Sequence, residues 1–246
     1  MLPRMKAMVL HGLGQPLKLE QIAVPKVGPN DVLVRVRACG VGLTVVIMIK
    51  TPGRVTSYPR IPGHEVAGVV ADIGSEVKSV KVGQRVTNHY YLTCGQCRNC
   101  RSGRETLCLF PRGNVGAACD GGYAQFMLLP ERNIIPIPDG VSDVDAAVAS
   151  DAIATPYHAC HKEARVGPGD NVLIIGAGGG VGIHMVQMAR LCGGRVLADE
   201  GSLIDVERRK FRRRSPLVGG AAAGADRPHL SRRWGGSHPS AELRLA

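Results

Sequence analysis

Hydrophobic and polar positions alternate over the first part of the chain in short runs. Lys6-Ala-Met-Val-Leu10 is a brief apolar run, Leu17 to Ile22 alternates, and Asp31-Val-Leu-Val-Arg-Val-Arg-Ala38 alternates more clearly, with Pro, Gly and Asn turn residues between the last two. Short strands at this spacing predict a small barrel. Further runs follow at Val66 to Val70 and Val82 to Val86, and Asp120 to Pro130 reads as a turn leading into a strand. The period then changes. Asp143 to Ser150 carries acids in its first turn and alanines after, a helix start that Thr155 to Arg165 continues before Gly167-Pro-Gly-Asp170 breaks it. Val172-Leu-Ile-Ile175 is a β-favouring run entering a glycine cluster. Beyond it, apolar residues recur at Val181, Met185, Met188, Ala189 and Cys192 with helical spacing, and Arg195 to Ala198 is a second strand.

The strand, glycine turn, helix and strand after residue 171 predict the opening of a dinucleotide-binding unit. Gly176, Gly178, Gly179, Gly180, Val181 and Gly182 form the turn expected against a pyrophosphate, where backbone amides and the helix dipole favour negative charge. Asp199 and Glu200 close the second strand roughly 20 residues on, the place of an acid that binds the adenosine ribose. Such an acid favours NAD, and NADP stays open.

Composition places the chain among globular proteins, with 44% hydrophobic residues in 246. No apolar run approaches the roughly 18 to 20 residues of a membrane span, and the start lacks the apolar region of a secretory signal, so the expected compartment is the cytoplasm, with no membrane partner. The net charge of +11 is unevenly spread. Residues 208–246 hold ten Lys/Arg against two acids, which leaves residues 1–207 a surplus of only +3. Nucleic acid is therefore not the expected partner of the body of the protein.

Four of the eight cysteines fall within fifteen residues: Cys94-x-x-Cys97-x-x-Cys100, then Cys108. Four thiolates from one loop close a tetrahedral zinc site with no open position, which makes such a site structural. The loop, with Gly95, Gly103, Arg98, Arg101 and Arg104, has little with which to bury a core, so the ion would hold its shape. His158, Cys160 and His161 have no further ligand nearby and read as ordinary helix residues, as do Cys119 and Cys192.

Gly63-His64-Glu65 before a strand, the Gly83-Gln-Arg-Val86 turn and strand, the cysteine cluster and the glycine-rich turn occur in one order. In that order the chain resembles the zinc-containing medium-chain alcohol dehydrogenases, from about Lys6 to about Glu200. The resemblance implies an α/β protein with a β-barrel-like part: a GroES-like catalytic domain over 1–155, with its zinc lobe at 90–112, followed by a partial Rossmann domain over 156–207. It implies NAD or NADP as cofactor, a cleft between the domains, and hydride transfer between nicotinamide and an alcohol, aldehyde or ketone. It also implies a structural zinc on Cys94, Cys97, Cys100 and Cys108. Family members are usually homo-oligomers, and the usual dimer edge is not found in this sequence.

The catalytic metal site departs from the family pattern. Cys39-Gly-Val-Gly-Leu-Thr-Val45, laid on Cys-Gly-Val-Cys-His-Thr-Asp, puts Gly42 at the ligand cysteine, Thr44 on the proton-relay hydroxyl and Val45 on the supporting acid. Cys39 is three positions too early to replace the missing thiolate. His64, Glu65 and Asp151 remain, the last in the segment that supplies the third ligand. They offer nitrogen and oxygen donors only, a harder set than one with a thiolate. Two readings stay open: a catalytic zinc on His64, Glu65 and Asp151 with Thr44 as relay, or a reductase of the same superfamily without the active-site metal. An inactive fragment is the rival outside enzymes.

After Glu200 the composition turns to Arg, Gly, Ala, Pro and Ser with neither apolar period, and Leu203 to Lys210 is the remnant of one more helix. This composition cannot bury a core. Residues 208–246 read either as a basic disordered arm or as out-of-frame translation following a frameshift. Either way the partial sheet is left with an exposed edge, a liability for aggregation.

Overall fold

The computed structural model describes residues 3–199. Glu200, the helical remnant and the basic segment named above lie outside the described residues. The chain divides into two units between Asp151 and Ala152.

In the first unit, strand β1 (Arg4–Val9) pairs antiparallel with β2 (Lys18–Ala23). Strand β3 (Asp31–Cys39) lies between β4 (Val66–Ile73) and β6 (Phe126–Pro130), and the five-stranded antiparallel sheet continues through β5 (Arg85–Asn88) to β7 (Ile134–Pro136). β1 joins this sheet at the approach to β6, where Met8 N donates to Tyr123 O and Gln125 N to Lys6 O. The sheet curls around a core that includes Val32, Val34, Val66, Val70, Val86 and Leu129. Burying each such side chain stabilises the fold by roughly 1.5 to 3 kcal/mol.

β4 is buried on both faces because a helix covers its outer side. Helix α3 (Asp143–Val148) sets Ala146 and Ala147 against Ala67. Ser142 caps it, accepting a hydrogen bond from Asp145 N at 3.1 Å, and Arg85 ties it down through Asp143 Oδ1 at 2.7 Å. Immediately after α3 the backbone widens into a π-helical turn, Ala149–Ile153, which carries Asp151.

Helix α1 (Leu43–Lys50) was not foreseen from the sequence. Its Val45, Val46, Ile47 and Ile49 are β-branched and favour strands. The helix buries Val45 and Met48, three residues apart, and Met48 joins a small cluster with Leu10 and Val55. A loop between Leu92 and Arg112 stands out from the sheet, with the short helix α2 (Arg98–Arg101) inside it.

The second unit opens with helix α4 (Ala154–Tyr157), prolonged by a π-helical turn His158–Glu163. The helical run expected from Thr155 onward is present, though of mixed winding. Strand β8 (Asn171–Ile175), helix α5 (Gly180–Leu191) and strand β9 (Arg195–Asp199) follow, with β8 and β9 parallel. Cys160, Val172, Ile174 and Ala189 form their core. Cys160 packs its sulfur 3.4 Å from that of Met185, His158 pairs with Glu163, and neither belongs to a cluster of three or more His, Cys, Asp or Glu donors among the described residues. No described helix is long and apolar enough to cross a membrane.

Candidate active site and metal centres

The cysteine loop is closed at its neck by an antiparallel pairing of residues 90–92 with 112–115. Leu92 N donates to Gly113 O at 2.9 Å, Arg112 N to Leu92 O at 2.7 Å, and Val115 N to Tyr90 O at 3.1 Å. Beyond the neck, the sulfurs of Cys94, Cys97, Cys100 and Cys108 lie within 4.8 Å of one another. Cys94 and Cys100 are 3.9 Å apart and Cys97 and Cys100 3.5 Å. A tetrahedron with metal–sulfur bonds of about 2.3 Å has edges of about 3.8 Å, so the four donors fit zinc.

Backbone amides are aimed at the sulfurs as a thiolate centre requires. Cys97 N donates to Cys94 Sγ, and Cys94 N and Phe110 N donate to Cys108 Sγ, each at 3.4 Å. Donation from backbone amides lowers the Cys97 thiol to about 6 and pulls Cys94 down as well, whereas burial pushes Cys100 up to about 11. An ion would therefore bind a loop in which part of the thiolate charge is already favoured.

The second donor group joins positions 87 residues apart. His64 follows Gly63 into β4, its side chain is almost fully buried, and its Nε2 stands 3.0 Å from Asp151 Oδ2. Glu65 completes a set whose donor atoms all lie within 4.8 Å of one another. Asn88, 1% exposed at the end of β5, braces this segment by donating from Nδ2 to His64 O and accepting from Val66 N, both at 2.9 Å. Tyr90 packs its ring on the His64 imidazole with centroids 4.6 Å apart. Burial, and then the Asp151 carboxylate, raise the Tyr90 phenol above its ordinary range.

Asn88 and Tyr90 were missed from the sequence. Their only signal is a polar and aromatic run, Asn88-His-Tyr90-Tyr91, ending an otherwise alternating strand.

Two further residues of the segment 39–45 have defined surroundings. Thr44 stands exposed in the first turn of α1. Cys39 lies at the end of β3, outside the donor group, with its thiol near Gly40 O and pushed up to about 12, first by burial and then by the Glu65 carboxylate. A protonated thiol outside the group cannot replace the thiolate missing at Gly42. His64, Glu65 and Asp151 fit a divalent cation held by nitrogen and oxygen and do not reproduce a thiolate-containing set.

The glycine-rich turn of the second unit has the geometry of a phosphate cradle. Gly176 takes a positive φ of 76°, and its N–H and that of Ala177 both donate to Asp199 O, which locks the turn to the end of β9. Gly179 caps α5, and a Cβ on Gly182 would come within 2.0 Å of Gly176 O. The backbone thus requires glycine at Gly176, for its positive φ, and at Gly182, for the close approach. Gly180, Val181 and Gly182 begin α5, where the first amides have no intrahelical acceptor and can receive an anion.

The alcohol dehydrogenase GroES-like domain family matches residues 28–139. An L-threonine 3-dehydrogenase of Mesorhizobium japonicum is 37% identical over 194 residues, covering 78% of this chain and 55% of the relative. Among solved structures, a cobalt- and zinc-bound thermostable alcohol dehydrogenase of Pyrobaculum aerophilum is 32% identical with a TM-score of 0.76, covering 84% of this chain and 62% of the other. An acetophenone reductase of Geotrichum candidum in complex with NAD is 37% identical with a TM-score of 0.73, covering 80% and 58%. The chain spans about half the length of the curated relatives it matches.

Proposed function

We propose that the chain, which is similar to the zinc-containing medium-chain alcohol dehydrogenases, is an NAD(P)-dependent oxidoreductase moving a hydride between nicotinamide and an alcohol or carbonyl carbon. The observation that carries the reading is the convergence of His64, Glu65 and Asp151 from separate stretches into one donor group in a chain that also has the phosphate-cradling turn. The chemistry belongs to residues 1–155 and nucleotide binding to 156–207.

Cofactor pyrophosphate lies on the Gly176 to Gly182 turn, at the amides that open α5. The ribose hydroxyls fall to Asp199 or Glu200, a preference for NAD. Cys94, Cys97, Cys100 and Cys108 hold a structural zinc that keeps the loop folded.

At the reacting centre, either His64 donates a hydrogen bond to the substrate oxygen while Asp151 fixes the imidazole, or His64, Glu65 and Asp151 together would hold a metal. Bound there, a zinc ion would act as a Lewis acid on that oxygen. Thr44 relays the hydroxyl proton outward. Gly42 in place of a thiolate favours a second reading in which carbonyl reduction proceeds with no metal at this centre. The substrate is a small alcohol, aldehyde or ketone.

Titration of the purified chain with NADH, followed by the cofactor's fluorescence, tests the proposal. Saturable binding, competed by NAD, is expected. A linear, unsaturated response would remove it and favour the non-enzymatic fragment. Metal analysis separates the two catalytic readings, two zinc ions per chain for the first and one for the second.

A further inference from the structure

The short turn Glu131–Asn133, which leaves β6, sends three consecutive side chains to three other segments. Glu131 accepts from Lys78 N at 2.6 Å and from Ser79 N. Asn133, 1% exposed, donates from Nδ2 to His89 O at 2.9 Å and to Tyr91 O at 2.8 Å, which pins the strand entering the neck of the cysteine loop. Arg132, between them, reaches the loop itself. A Cβ on Gly95 would stand only 1.4 Å from Arg132 Nη1, so the guanidinium fills the space that the missing side chain leaves beside Cys94.

Arg132, Arg112 and Cys94 line one cavity of about 170 Å³, walled by Leu92, Leu128 and Pro130. Among the described residues, no carboxylate forms an ion pair with either arginine. Both guanidiniums are exposed to water, and both border the cavity beside Cys94 with no carboxylate partner. Four thiolates on a divalent ion carry a net charge of about −2. No carboxylate lines the cavity, and Cys94, which does, belongs to the four-cysteine centre.

We propose that Arg132 is the outer counter-charge of the four-cysteine metal centre. Its guanidinium, supplied from outside the loop, sits over Gly95, opposes the thiolate charge and slows release of the ion, with Arg112 contributing across the cavity. The inference rests on the zinc reading of the four cysteines. It explains why position 95 is glycine on two grounds, since the residue combines a φ of 76° with a Cα that the guanidinium covers. Arg98, Arg101 and Arg104, which belong to the loop, line no part of the cavity and do not share the role.

The test follows transfer of zinc from the purified full chain to a chromophoric chelator, for the parent, Arg132→Met, Arg132→Lys and the control Arg101→Met. Partners of metal ligands change affinity by about 10- to 100-fold, so Arg132→Met is expected to release zinc at least about tenfold faster, while Arg101→Met matches the parent. In cobalt-loaded protein, the sulfur-to-metal charge-transfer band of Arg132→Met is expected to move to longer wavelength, because thiolates that lose a neighbouring cation give up electrons more easily. A merely structural arginine would not move that band. If Arg132→Met does not fold, Arg132→Lys carries the test. Retention within about threefold of the parent supports the counter-charge, and release about tenfold faster or more overturns it. Equal release from zinc-loaded parent and Arg132→Met overturns the proposal alone. A parent without zinc overturns the zinc reading and the proposal with it.

Discussion

His64 Nε2 and Asp151 Oδ2 stand 3.0 Å apart although 87 residues separate them, one residue following a glycine turn into a sheet strand and the other riding a π-helical turn. The widened turn follows the last residue of α3, a helix anchored to the sheet by Arg85 and by Ala146 and Ala147, so the carboxylate is delivered by a packed element. Asp151→Asn keeps the shape and removes the charge. We expect turnover to fall about 10- to 100-fold, with a stability loss of only about 1 kcal/mol, measured by steady-state kinetics and urea unfolding. Asn88→Ala gives the opposite balance among neighbours of His64. Leaving His64 O and Val66 N without partners is expected to destabilise the fold by about 2 to 3 kcal/mol in the same unfolding experiment.

Gly42 has an extended backbone, φ −128° and ψ 174°, and a Cβ there would meet nothing within 4 Å. A side chain is therefore accepted without strain. Gly42→Cys restores the thiolate of the family pattern, and we expect the variant to retain more zinc per chain than the parent against a chelator, read by metal analysis after gel filtration. Equal zinc content in the two proteins would remove Gly42 as the reason for a weak site.

The thiols should sort by environment once the metal is stripped. Cys97, lowered to about 6 by backbone donors, is thiolate from about pH 6 upward and is expected to be alkylated first. Cys39, at about 12, and Cys160, pushed up to about 11 by burial, stay protonated at pH 8 and are expected to remain unlabelled. Peptide mass spectrometry after brief iodoacetamide treatment at pH 6 and pH 8 gives the order. Labelling of Cys39 before Cys97 would contradict it.

Much of this was legible in the sequence for local reasons. Cys94, Cys97, Cys100 and Cys108 share one loop, and the Gly176 to Gly182 turn is contiguous with the strand and helix it joins, so spacing alone declared both. Asp151 is distant in sequence from His64 and was placed beside it only through a family resemblance. Asn88 and Tyr90 were not found because a buried brace and a ring on a histidine depend on packing between strands, which no periodicity reports. Leu43 to Lys50 hid its helix behind β-branched residues, where burial of Val45 and Met48 overrides propensity. The glycine run offered more glycines than the turn needs, and only the backbone singles out Gly176 and Gly182.

That last distinction is testable. Gly182→Ala drives a Cβ into Gly176 O and is expected to destabilise the nucleotide turn by about 1 to 3 kcal/mol and to abolish NADH binding. Gly180→Ala, with nothing within 4 Å of its Cβ, is expected to bind NADH nearly as the parent does. Fluorescence titration of the two variants decides it, and equal binding by both would contradict the assignment.

The central claim is hydride transfer, and its most direct test is isotopic. The purified chain is incubated with NADH deuterated at the nicotinamide C4 position and a panel of simple aldehydes and ketones, acetophenone among them, and the alcohols formed are analysed by mass spectrometry. The account predicts an alcohol carrying one deuterium on the former carbonyl carbon, with the label lost in His64→Ala. Saturable NADH binding with no deuterium in any product would contradict it and leave a nucleotide-binding protein without the proposed chemistry.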